Sequence, residues 1–271
     1  MKTFILISIF YILIEAVFCA SQKFEIFFIN LDRRGERRVE VDQELNSVFP
    51  NMTHHRLKAV DARELNKDVL VENGVKVMEG YLDPYHKRPM KMGEVACFLS
   101  HHSVWTEISN SNIPLTLIVE DDVKFNRGGK ENLEKLLNAV IEEFEEKGGE
   151  LLYLGRKPQA DDLACDDCKL LSRPGYSYWT VAYMLTAEGA KKLLNTKVLS
   201  QMIPVDEYIP MMFDQNPEFD SWSERLSETE LESVLLKAYS ATNLLAEPRW
   251  YPSDNSSYVS DTELSDIIHE T

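Results

Sequence analysis

LTLIVEDDVKF, residues 115–125, sets five apolar or β-branched positions directly before three consecutive carboxylates, Glu120, Asp121 and Asp122. Apolar character resumes at Val123 and Phe125. A short run of this kind predicts a buried strand. Alternate side chains of a strand share a face, so Glu120 and Asp122 are expected to project together and Asp121 elsewhere. Two hard oxygen donors at a strand end suit Mg²⁺ or Mn²⁺, ions that share one or two protein carboxylates with substrate phosphates. Left bare, such neighbours repel and one tends to hold a proton. An ordinary turn is the alternative, because Asp is common after strands.

On either side, candidate strands alternate with helical patterns. FEIFFINLD (24–32) reads as a first buried strand, followed by mixed-charge helical spacing in RRGERRVEVDQELN. HRLKAVDA ends a second strand at Asp61, and GEVACFLSHHSVWTEIS (93–109) carries a helical stripe at Val95, Phe98, Leu99, Val104 and Trp105. KENLEKLLNAVIEEFEEK is amphipathic and closes at Gly148-Gly149. ELLYLGR and YSYWTVAYMLT read as strands, with Thr186 capping the helix AEGAKKLLNT. VDEYIPMMFD reads as a short helix and KAYSATNLLAEP as the last strand region. The alternation predicts one α/β domain over residues 24–252 with a mainly parallel sheet, and such sheets bind ligands at the carboxyl ends of their strands. No Gly-x-Gly-x-x-Gly fingerprint or phosphate loop is present, which argues against a dinucleotide or P-loop protein.

The 271 residues carry a net charge of −16, unsuited to a nucleic-acid partner. Lys2 and the apolar run FILISIFYILIEAVFC read as a signal peptide over residues 1–20. An uncleaved anchor is the alternative, but the run is short and Glu15 would sit in lipid. No later segment is apolar enough to span a membrane. Asn51-Met-Thr and Asn255-Ser-Ser are candidate glycosylation sites. Cys165 and Cys168, in Cys-Asp-Asp-Cys, suit a local disulfide or incidental thiols, and Cys97 a buried free thiol. Residues 253–271 are expected to form a polar, acidic tail.

The stretches FFINLDRRGERR, AVDA, GYLDPYHKRPMKMGEVACFLSH, LIVEDDVKF, LLYLGRK, YSYWTVAYMLTAEGAKKLL, IPVDEYIPMMFD and YVSDTE run in order from about residue 24 to 263. Together they resemble family 25 of the glycosyltransferases, most closely the C-terminal catalytic domain of its procollagen galactosyltransferases and the related cerebral endothelial cell adhesion molecule. The resemblance implies a Rossmann-like, A-type glycosyltransferase fold and a nucleotide-sugar donor. It implies a divalent ion, usually Mn²⁺, held on Glu120 and Asp122 with Asp121 in support. UDP-galactose is the implied donor and hydroxylysine of collagen-like chains the acceptor. The endoplasmic reticulum lumen is the expected compartment.

The end of the first strand, Asn30 to Arg34, and Arg37 one turn further lie where this fold seats the nucleotide; a solvated helix face is the alternative. Asp61 could reach uridine or ribose, or be a turn residue. Gly93-Glu94 opens a helix whose N-terminus favours anions, with Ser100 and His101 two turns on. Inverting transfer needs a base, and Asp206 and Glu207 are candidates for base or acceptor contact; a helix cap is the alternative. Tyr178 and Trp179 read as a sugar-stacking surface or as core.

The chain has room for one of the two glycosyltransferase domains of the collagen enzymes and ends in Ile-His-Glu-Thr instead of a retention tetrapeptide. The region AEPRWYPSDNSSYVSDTE lacks a histidine, where late histidines complete many A-type metal shells, and Ala62 and Ala96 stand where the family favours Gly. A non-catalytic relative serving as a binding or adhesion module, and an enzyme with another sugar or acceptor, are the competing expectations.

Overall fold

The computed structural model describes residues 24–84, 86–126, 130–195, 198–224 and 228–249. The expected signal peptide, the acidic tail, YVSDTE and the Asn255 sequon lie outside them. Asn51 is exposed in a turn.

In chain order the elements are β1 (Glu25–Asn30), α1 (Gly35–Val48), β2 (His54–Lys58), α2 (Lys67–Glu72), α3 (Met92–Asn110), β3 (Leu115–Glu120), β4 (Val123–Phe125), α4 (Lys130–Glu146), β5 (Leu151–Pro158), β6 (Leu171–Ser172), β7 (Ser177–Thr186), α5 (Ala187–Leu194), α6 (Val205–Met211), α7 (Phe219–Ser223), α8 (Glu228–Val234), β8 (Ala238–Ala241) and β9 (Ala246–Pro248). A seven-stranded sheet has the order β2-β1-β3-β7-β5-β8-β6, and β4 and β9 form a separate pair. β1 runs parallel to β2 and β3, and β5 to β8. β7 is antiparallel to both β3 and β5, and β6 to β8. Five strands (β1, β2, β3, β5, β8) thus share one direction. The sheet is mainly parallel, as expected, with β7 reversed at its centre.

Strand alternation divides the core between two faces. Ile26 and Phe28 of β1, with Leu117 and Val119 of β3, pack toward Val41 and Leu45 of α1 and the apolar face of α4. Phe27, Ile29 and Ile118 pack toward Val95, Phe98 and Trp105 of α3, joined by α5 and α6. Burying a large apolar side chain contributes roughly 1.5–3 kcal/mol, so a one-residue slip of β3 would exchange its faces at a cost of several such terms. Helix ends follow the sequence signals. Thr186 accepts from the Gly189 N–H at 3.0 Å, and Gly148 takes the positive φ of 63° that closes α4.

The expected last strand splits: β8 joins the main sheet, while β9 pairs with β4 just past the carboxylates. Gly155 makes room for this. A Cβ there would stand 2.7 Å from the Ala246 carbonyl oxygen. Gly155→Val should therefore displace β9 at a cost of roughly 1–3 kcal/mol, lowering the melting temperature by several degrees in thermal unfolding.

Candidate functional site

β1 and β3 are parallel neighbours, so their carboxyl ends open on one edge. There they line a cleft of about 690 Å³, open to solvent, with the first two turns of α3 as its far wall. Small residues let the helix come close: Gly93, Ala96 and Cys97 line the cleft, with Ala62 opposite. Glu94 stabilises the start of α3 by accepting from the Lys91 N–H at 2.6 Å, and Arg88 holds it through two bonds of 3.1 and 2.8 Å.

The three carboxylates at the end of β3 have different surroundings. Asp121 turns to the α1 side, where it accepts from Asn30 Nδ2 at 2.7 Å and Arg37 Nη1 at 3.1 Å. Burial outweighs both partners and pushes its carboxyl above the usual range. Glu120 turns to the α3 side, where Oε1 accepts from the Thr180 hydroxyl and lies 3.7 Å from His101 Nε2. Burial pushes Glu120 up, but His101 and Thr180 outweigh it and hold the carboxyl below its usual range. Asp122 lines the cleft at the turn, and its carbonyl oxygen accepts from the Arg249 N–H at 2.6 Å.

The nucleotide-binding candidates separate. Asn30, Arg37, Ser100, His101 and Asp121 line the cleft, together with Arg33. Asn30 is committed to the protein: besides Asp121, its Nδ2 donates to the Arg34 carbonyl, and its Oδ1 accepts from Arg56 Nε at 3.0 Å. The Ser100 hydroxyl donates to the Ala96 carbonyl and accepts from the Val60 N–H, which ties the segment after β2 to α3. His101 is 1% exposed and sits behind Glu120, with Nδ1 2.9 Å from the Tyr183 hydroxyl.

Two candidates, Arg34 and Asp61, are not among the residues that line the cleft. Arg34 turns away from the cleft toward Glu36, 3.5 Å distant, because the chain there is entering α1. Asp61 caps a short turn through the Arg63 N–H and pairs with Arg33 Nε at 2.8 Å. Within the stretch Asn30 to Arg34, Arg33 and not Arg34 lines the cleft. Mixed charge at a helix start gave no signal to separate them.

Asp206 and Glu207 start α6, beyond α3. Glu207 is engaged within the protein. It is 3% exposed, accepts from the Tyr176 hydroxyl at 2.7 Å and Asn216 Nδ2 at 2.8 Å, and so ties α6 to β7. Asp206 is half-buried and accepts from the Trp179 N–H. Burial first, then the charges of Glu207 and Glu94, push its carboxyl up to about 7, and Glu120 is near enough to add to the shift. Cys97 lines the cleft, and burial raises its thiol well above its usual range. Cys165 and Cys168 are joined in a disulfide, with Cα atoms 5.4 Å apart.

Among the described residues, no three His, Cys, Asp or Glu side chains converge as a closed metal site. Glu120 and Asp122 both line the cleft and could offer two hard oxygen donors to an open site, the chemistry that Mg²⁺ or Mn²⁺ takes when phosphate oxygens and water supply the other ligands.

The fold and cleft define a Rossmann-like α/β protein whose site lies at the carboxyl ends of its strands. Residues 23–209 match the pattern of Glycosyltransferase family 25 (LPS biosynthesis protein). A "Glycosyltransferase 25 family member" of Anopheles gambiae is 39% identical over 90% of this chain and 40% of its own length. "Procollagen galactosyltransferase 1-B" of Xenopus laevis is 38% identical over 89% of this chain and 39% of its own. "Probable inactive glycosyltransferase 25 family member 3" of Rattus norvegicus is 39% identical over 89% and 41%. The chain belongs to glycosyltransferase family 25. It spans about two-fifths of the length of these relatives.

Asp206 gives a pH prediction. Its folded pKa, about 7, lies above its ordinary value of 3.8. Its stabilising contribution is therefore fully present below about pH 4 and lost as pH rises to about 7. Asp206→Asn should lack that loss, so its melting temperature relative to wild type should be higher at about pH 8 than at about pH 5.

Proposed function

We propose that this chain is a metal-dependent, inverting glycosyltransferase that moves galactose from UDP-galactose to hydroxylysine of collagen-like chains in the secretory pathway, in the endoplasmic reticulum lumen. One observation carries the reading: a three-carboxylate strand end, Arg33, Arg37 and the N-terminal turns of α3 meet in one cleft. That combination suits a nucleoside diphosphate held with a cation. Glu120 and Asp122 would hold Mn²⁺, with Asp121 buttressing the turn. When bound, the ion stabilises negative charge on the departing diphosphate.

The chain's own residues supply the rest. The arginines and the start of α3 orient the phosphates. The acceptor hydroxyl oxygen bonds to C1 of the sugar while the bond from C1 to the diphosphate oxygen breaks, its electron pair leaving with UDP. The hydroxyl proton passes to Asp206, whose raised pKa suits a base working near neutrality. Similarity to the frog galactosyltransferase supports this choice of sugar and acceptor.

A second reading, a non-catalytic binding module, is supported by equal similarity to the rat relative named probable inactive. UDP release from UDP-galactose with a hydroxylysine peptide and Mn²⁺ separates the two. The transferase reading expects turnover that EDTA abolishes and that Asp122→Ala lowers by at least about 100-fold; no turnover by the wild type with any nucleotide sugar would sink it. Asp206→Asn should lower kcat by about 10²–10⁴-fold and remove the acid limb of the pH profile near pH 7.

A further inference from the structure

The carboxylate Glu120 is held from behind by a polar chain through the core. Trp105 Nε1 donates to the Tyr183 hydroxyl oxygen at 2.8 Å. The Tyr183 hydroxyl lies 2.9 Å from His101 Nδ1. His101 Nε2 lies 3.3 Å from Thr180 Oγ1, and the Thr180 hydroxyl donates to Glu120 Oε1. Trp105 and Tyr183 are fully buried, His101 is 1% exposed and Thr180 2%. Of these five residues, Glu120 and His101 line the cleft.

The chemistry at the two ends fixes the direction of every bond. A carboxylate only accepts, so the Thr180 hydroxyl must spend its proton on Glu120. Thr180 Oγ1 is then left to accept, which requires a proton on His101 Nε2. With His101 as the neutral imidazole, Nδ1 is then the acceptor and takes the Tyr183 proton, while the indole, a donor only, fills a lone pair on the Tyr183 oxygen. Each buried group is satisfied with all bonds pointing toward Glu120, and the polarity selects the Nε2–H tautomer of His101.

Local backbone makes the last link. β7 places Tyr178–Ala182 opposite only Gly155–Lys157 of β5, a bulge, and Trp179 within it has φ 68°. Bulges re-aim side chains, and a bulky residue at positive φ persists only where its surroundings dictate it. Val181 and Ala182 both enter the α1 and α4 face, whereas Thr180 reaches Glu120 and His101 on the α3 side. Without the bulge, Thr180 would share the face of Ala182 and Met184.

We propose that Thr180, His101 and Tyr183 are positioning residues: their one-way relay from Trp105 fixes Glu120 through Oε1 and leaves Oε2 for the cation of the donor complex. This rests on the reading of Glu120 as a cation ligand. Partners behind a metal ligand typically account for 10–100-fold in metal affinity.

Two measurements test it. In the metal-free protein, imidazole ¹⁵N resonances should show His101 protonated at Nε2; a proton at Nδ1 would overturn the relay. Mn²⁺ affinity in the presence of UDP, read by electron paramagnetic resonance, should fall about 10–100-fold in Thr180→Val and return most of the way in Thr180→Ser, which keeps the hydroxyl. A folded Thr180→Val that binds Mn²⁺ as tightly as wild type would overturn the positioning role. Should Thr180→Val fail to fold, Tyr183→Phe must shift the His101 Nδ1 resonance and weaken Mn²⁺, and no change in either would count against the relay. Failure of the wild type to bind Mn²⁺ with UDP would overturn the cation reading and the positioning role, while the tautomer would still decide the relay.

Discussion

The hydrogen bond from Asn30 to Asp121, 2.7 Å long and nearly hidden from solvent, ties the end of β1 to the end of β3. Most of the cleft's geometry depends on it. Three adjacent carboxylates repel one another, and a strand ending on them would fray unless the middle one were neutralised. Asn30 and Arg37 do this from the α1 side. The same asparagine accepts from Arg56 of β2 and donates to the Arg34 carbonyl at the entry to α1. One side chain thus ties together three strands and a helix start. Bonds to an ionised, buried acceptor are roughly twice as strong as neutral ones.

With Asp121 fixed on one side of the sheet, strand alternation sends Glu120 to the other. There it meets α3, which can approach because its first two turns present Gly93, Ala96 and Cys97 to the cleft. His101 and Trp105 lie one turn apart on that helix, so both reach the Tyr183 hydroxyl. The site is therefore assembled from both layers of the fold at once. Glu120 belongs to the α3 layer, Asp121 to the α1 layer, and Asp122 lies at the turn between β3 and β4.

Much of this was legible in the chain. LTLIVEDD announced a buried strand with a carboxylate end because apolar run and charge are local signals, and Thr186 announced its helix for the same reason. The direction of β7 was not legible: YSYWTVAYMLT is apolar enough to be central, but a buried run has no mark of polarity. The division of labour between Arg33 and Arg34 depends on one residue of helix phase at a helix start. Glu207 looked available because its partners, Tyr176 and Asn216, lie 31 and 9 residues away. Thr180 went unnoticed because its role arises from a bulge, and bulges leave little trace in composition.

The charge pattern of the cleft bears on what it can hold. Arg33 and Arg37 are its lining arginines, and each already faces a carboxylate, Asp61 and Asp121 respectively. Glu120 and Asp122 add further negative charge beside them. A diphosphate entering such a place would meet net repulsion, strengthened because burial weakens screening by water. The start of α3 offers only about half a positive charge. On the proposed reading, donor and divalent cation are then two parts of one ligand. The cation has too few protein donors to be held tightly alone, and the diphosphate too little positive charge to be held without it, so each should bind weakly by itself and strongly with the other.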